Sequence, residues 1–184
     1  MLEGKKVMLT PKSNIRGTKF VALTIVCSAL VGAGFLVSAA MPLVPGTLML
    51  RLGSFLTPLF GILFGPVVGS IAAYTGALLS QLLGGLWTAA SPISTIGEVL
   101  AVIIPAYLVT RPKNIWQVAL WSGVGGLAMT AFCSAVLDLF GVFPFVPAFT
   151  IIGLCDVIPI VIGTPICVLL LFDRVKAMGY YWRK

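Results

Sequence analysis

The chain has no histidine and only five acidic residues among 184. Without histidine there is no Ser-His pair, no histidine-ligated metal centre and no HExxH motif. The carboxylates are too scattered to mark an aspartyl dyad, and with no Walker sequence any ATP-driven step belongs to another chain. Four cysteines, Cys27, Cys133, Cys155 and Cys167, stand singly with no CxxC pair, and read as small packing residues inside helices. The chain therefore reads as a non-enzyme, with neither metal nor cofactor expected.

Charge is scarce as well. Charged residues make up 9% of the sequence and hydrophobic ones 59%, with a mean hydropathy of +1.11. A soluble domain of this size needs far more charge to cover its surface. Uncharged runs extend over 20–50, 52–97, 99–110 and 114–137. About 20 apolar residues cross the hydrocarbon as a helix, and these runs are too long for the alternating strands of a barrel. The fold class expected is an all-α integral membrane protein with six transmembrane helices.

Turn residues divide the runs. The first helix takes about Phe20 to Ala40 and stops before "MPLVPG"; the second takes roughly Thr47 to Phe64. In "GILFGPVVG" Gly65 suits the position just past a helix end and Pro66 the first turn of the next helix, so a turn is expected there. Gly69, Ala73 and Ala77 then form a stripe of small residues on the third helix, which ends near Gly84 and Gly85. The fourth helix begins near Thr95 and ends before "TRPKN", and the fifth covers about Ile115 to Phe140. Pro144 and Pro147 mark a return loop, and the sixth helix runs from near Asp156 to Met178, bent at Pro159 and Pro165.

Basic residues collect in three places: the tail before Phe20, the loop holding Arg111 and Lys113, and the C-terminus. Because cytoplasmic loops collect Lys and Arg, six helices with both termini cytoplasmic place all three clusters on one face. Residues 1–18 form a basic cytoplasmic tail without a cleavage site, so a retained first helix is expected, followed by a single six-helix transmembrane domain over 19–184. The net charge of +7 is then a consequence of topology, the partner is the lipid bilayer, and no nucleic acid is needed. The terminal "YYWR" fits an aromatic anchor at the inner interface.

Ionisable residues at membrane depth are functional candidates by default. Arg51, Glu98, Asp138 and Asp156 qualify, and all four fall toward the outer half. Glu98 also completes "TIGE", a capping box, and Asp156 could cap a helix. Asp138 ends a row of small or polar residues at spacing four, Ser122, Gly126, Thr130, Ser134 and Asp138, which faces either a packed helix or a polar cavity. Arg51 either snorkels to head groups or pairs with a carboxylate or an anionic ligand group. Trp87 is either an interfacial belt residue or the aromatic wall of a pocket. Three carboxylates against one arginine suggest a ligand with amino or cationic character.

With "ILFGPVVGSIAAYTGALL" and a last helix ending in "GTPICVLLLFDRVKAMG", the chain resembles the substrate-binding S components of energy-coupling factor (ECF) transporters, from the first helix to the C-terminus. The resemblance implies high-affinity capture and uptake of a small water-soluble vitamin or related micronutrient at the cell membrane. It also implies docking onto a coupling subunit that carries two ATPase subunits. Family members dock through small residues on the first helix, here Ala22, Ala29 and Ala33, which ordinary intrachain packing would equally suit. Thiamine-type members place a carboxylate on the fourth helix and a polar residue near the start of the sixth, and Glu98 and Asp156 stand at similar places. Their pockets are rich in tryptophan, whereas of the four tryptophans here only Trp87 is suitably placed. Together with the residues singled out by their polarity at membrane depth, the expected substrate-binding set is Glu98, Asp138, Asp156, Arg51, Trp87 and Ser134. A self-contained secondary carrier or channel, or an accessory assembly protein, are the alternatives.

Overall fold

The computed structural model describes residues 17–39, 42–44, 48–49 and 51–183. Apart from two of its residues, the expected basic tail over 1–18 lies outside them. The chain is a membrane-embedded all-α protein: five helices are long and apolar enough to cross a bilayer, covering Thr18–Ser38, Pro66–Leu83, Ser91–Leu108, Ile115–Leu139 and Phe145–Ala177. In chain order the elements begin with α1 (Thr18–Ala39) and a short antiparallel pair of strands, β1 (Pro42–Val44) and β2 (Leu48–Met49). A 3-10 turn (Leu52–Phe55) leads into α2 (Leu56–Phe64), followed by α3 (Pro66–Leu83), the single turn α4 (Ser91–Ser94) and α5 (Ile96–Leu108). Then come α6 (Ile115–Leu139), α7 (Phe145–Ile152), a π-helical turn (Gly153–Val157) and α8 (Ile158–Ala177).

The expected second span is the one not among these five. Leu52–Phe64 holds four residues of 3-10 helix and nine of α-helix. At the usual rises that is about 21 Å, short of the roughly 30 Å of hydrocarbon. Leu48 and Met49, placed in this helix by sequence, pair with β1 instead. The helix therefore starts inside the bundle, and Arg51 lies just before its first turn.

Gly65 and Pro66 make the expected junction. Gly65 takes φ +101°, which L side chains rarely adopt, and Pro66 opens α3 where its missing N–H is no loss. The stripe on α3 permits close approach: a Cβ on Gly69 would stand 2.8 Å from Gly61 Cα, and Ala73 and Ala77 are fully buried. On the neighbouring face Thr75 donates to Ser28 at 2.8 Å, and a Cβ on Gly76 would stand 2.7 Å from Val31 Cβ, so α1 and α3 run side by side.

Two helices start earlier than their sequence signals suggest. The fourth span begins at Ser91 through α4 rather than at Thr95. The last begins at Phe145 rather than Asp156, so the expected return loop at Pro144 and Pro147 is already the start of a helix. Pro144 precedes α7 in an extended conformation and Pro147 lies in its first turn, where proline is tolerated. Pro159 cannot donate to the carbonyl of Cys155, and the widened π turn falls at that place.

The chain's C-terminal residues fasten one end of the bundle. Trp182 is buried rather than an interfacial anchor; its ring packs on Gly65, and its indole N–H donates to the Ile62 carbonyl at 2.9 Å. Arg183 donates to the carbonyls of Ala106, Tyr107 and Val109. Carbonyls left open at the ends of α2 and α5 are thereby satisfied. Gly34, near the C-terminal end of α1, packs on Gly53 at the far end of the second helical segment from Gly65, so α1 also starts at this end, where Arg111, Lys113, Arg174 and Lys176 collect.

Candidate functional site

At the opposite end the helices enclose a cavity of about 150 Å³. Its charged centre is Arg51, Glu98 and Asp156, three residues from three segments far apart in sequence. Phe35, Leu137 and Phe143 contribute apolar wall, while Gln81, Thr88 and Ser91 add polar groups from the α3–α5 side.

Arg51 reaches the cavity because the helix behind it is short. The 3-10 turn is held against the last helix: Thr164 donates to the Phe55 carbonyl at 3.1 Å, and Gly163 leaves room for the Phe55 ring. From there Arg51 Nη1 donates to Glu98 Oε1 at 2.8 Å and stands 3.8 Å from Asp156 Oδ2. Its guanidinium lies over the Phe35 ring, 4.6 Å from the centroid. Of the two alternatives for Arg51, pairing is the one found.

Glu98 is not a capping residue here. Because the helix already begins at Ser91, the Thr95 N–H donates to the Ser91 carbonyl at 3.0 Å and the Thr95 hydroxyl does the same at 2.7 Å. The Thr95 N–H that a capping box would offer is therefore taken, and the carboxylate turns to Arg51 instead. Asp156 likewise lies well inside a continuous helix rather than at its start. The π turn carries it, and Ser54 donates to its Oδ1.

Asp138, Ser134 and Trp87 are not brought to the cavity. The row from Ser122 to Asp138 packs on the last helix: a Cβ on Gly126 would meet Ile160 at 3.2 Å, and Thr130 and Ser134 are fully buried. Asp138, one turn further, is exposed. The cavity is met by the neighbouring row, Cys133 and Leu137, one residue earlier and so about 100° around the helix. Trp87 is 46% exposed, although Leu86 and Thr88 on either side line the cavity. Ala22, Ala29 and Ala33 are exposed on the outer side of α1, apart from the cavity.

Sequence reading missed Phe35, Gln81, Cys133 and Phe143 in the lining. Phe35, Cys133 and Phe143 had no signal in a chain so rich in apolar residues. Gln81 had one, since an amide in an apolar helix is uncommon.

The site's hydrogen bonding is unbalanced. Glu98 is 2% exposed and Asp156 1%, so neither carboxylate has bulk water to turn to. Glu98 Oε2 and Asp156 Oδ2 have no hydrogen-bond partner among the described residues. Three nearby donors are already engaged: Ser80 donates to Ala77, Ser94 to Ser91 and the Cys133 thiol to Ser94, each to a backbone carbonyl. One guanidinium against two carboxylates leaves the centre at −1 among the described residues when all three are ionised. Also among the described residues, no group of three or more Cys, Asp or Glu could hold a metal ion. The arrangement is suited to hold a small polar ligand at the mouth of a membrane bundle.

No protein-family model, curated protein or solved structure matches the chain.

Proposed function

We propose that the chain is the substrate-binding S component of an ECF-type ABC transporter in the cell membrane, capturing a small water-soluble vitamin or related micronutrient. The observation that carries this reading is the short second helix, which sets Arg51 beside Glu98 and Asp156 in a cavity at the end away from the basic residues. By the positive-inside rule the basic end is cytoplasmic, so the cavity opens outward and both termini lie inside. The outer side of α1, with Ala22, Ala29 and Ala33 among Val26 and Val37, is uncharged and suits docking on a coupling subunit within the bilayer.

The test is purification of the tagged chain from its own membranes, with mass spectrometry of what comes with it. The reading expects a coupling subunit, two ATPases and a bound micronutrient; a chain that purifies with none of them refutes it.

A second reading, a self-contained secondary carrier or channel, is favoured by two features. The short second helix and the π turn in the last helix are interruptions of the kind that secondary carriers place around a substrate site. Uptake into liposomes by this chain alone, without ATP, would select it.

A further inference from the structure

The cavity's shortage of donors names the chemistry of what fills it. Glu98 Oε2 and Asp156 Oδ2 are buried acceptors without a partner among the described residues, and both side chains line the same space. A buried acceptor left unmade is costly, and an ionised one more so. Arg51 Nη1 bonds Glu98 at 2.8 Å and stands 3.8 Å from Asp156, an ion pair without a hydrogen bond. Ser80, Ser94 and the Cys133 thiol already donate to backbone carbonyls, and the Thr88 and Ser91 hydroxyls bond each other.

We infer that the cavity takes a compact monocation with at least two N–H donors, a primary ammonium or an amidinium on a small apolar body, bonded to Glu98 Oε2 and Asp156 Oδ2. This rests on the receptor reading and gives it a substrate class. One positive charge offsets the surplus negative charge of the centre. N–H donors, rather than charge alone, are required because the two oxygens lack hydrogen bonds. A divalent ion is a poor fit, because calcium and magnesium demand six or more oxygens and two are free. Phe35, Leu137 and Phe143 offer apolar surface for the rest of the ligand. The volume, about 150 Å³, is that of a cavity that holds benzene.

The experiment is calorimetric titration of the full-length chain in nanodiscs, after exhaustive dialysis, with five probes of similar size: benzamidine, benzylamine, phenyltrimethylammonium, benzyl alcohol and benzoate. Benzamidine and benzylamine are expected to bind, each about tenfold or more tighter than the quaternary cation or the alcohol, with benzoate excluded. Glu98→Gln and Asp156→Asn, each checked for folding by circular dichroism, are expected to weaken benzamidine by a similar factor. Equal binding of phenyltrimethylammonium overturns the need for N–H donors. Preference for benzoate or benzyl alcohol overturns the cation assignment while leaving a receptor in place. Binding of none of the five means that a proton or water closes the site, and overturns the assignment. Co-purification with the ATPases is measured separately, so the receptor reading stands or falls independently of the ligand class.

Discussion

Arg51 and Glu98, 47 residues apart in sequence, meet at 2.8 Å where a helix too short to cross the bilayer starts inside the bundle. Glu98 is almost wholly buried, so Arg51 is the partner that makes its charge tolerable.

Breaking that pair from one side is therefore expected to be severe. Arg51→Met should destabilise the protein by about 3–5 kcal/mol, the range for a buried ion stripped of its partner. The exchange Arg51→Glu with Glu98→Arg should recover part of the loss. Thermal unfolding in detergent, followed by tryptophan fluorescence, checks both; an unchanged Tm in Arg51→Met would mean that the pair is not formed.

Asp156 and Asp138 separate the cavity from its surroundings. Asp156→Asn should lower affinity for a bound ligand by about tenfold, since a charge-assisted hydrogen bond is replaced by a neutral one. Asp138→Asn should leave affinity unaltered, because this residue is exposed and off the cavity. Equilibrium binding with the two variants side by side decides; equal losses would place Asp138 in the site after all.

Close packing makes a sharper prediction at glycine. A methyl group at Gly69 would stand 2.8 Å from Gly61 backbone atoms, so Gly69→Ala should cost about 1–3 kcal/mol through overpacking. Gly153→Ala meets nothing nearer than Thr130 at 3.6 Å and should be neutral or slightly stabilising. Comparison of the two melting temperatures is the check, and a reversed order would contradict the helix contacts described.

At the basic end, Arg183→Ala removes donors from three carbonyls at the end of α5. Faster amide exchange over Ala106–Val109 is expected, with little change in the α6 interior. Trp182→Ala should cost about 3–5 kcal/mol, the usual range for emptying a buried tryptophan site. Hydrogen exchange with mass spectrometry reads the first effect and thermal unfolding the second.

Docking on α1 can be tested without touching the cavity. Ala29 and Ala33 are exposed, so Ala29→Trp with Ala33→Trp should leave folding and ligand binding intact while abolishing co-purification with a coupling subunit. Retained co-purification would move the docking face elsewhere.

The membrane class, the Gly65–Pro66 junction and the small-residue stripe of α3 were legible in the sequence. They depend on local quantities: the length of uncharged runs, the φ freedom of glycine and the missing N–H of proline. Arg51, Glu98 and Asp156 were legible as candidates because charge within an apolar run is costly wherever it falls.

Where the helices begin was decided by tertiary structure. Thr95 and Asp156 carry good capping chemistry, yet both stand inside helices whose starts, Ser91 and Phe145, are held by packing, and so Glu98 and Asp156 were released to meet Arg51. The cavity face of α6 was decided in the same way. Small residues at spacing four announce a contact, but a step of one residue turns the side chain by about 100°. Only the placement of the neighbouring helices determines that Cys133 and Leu137 look into the cavity while Ser134 is packed away and Asp138 faces out.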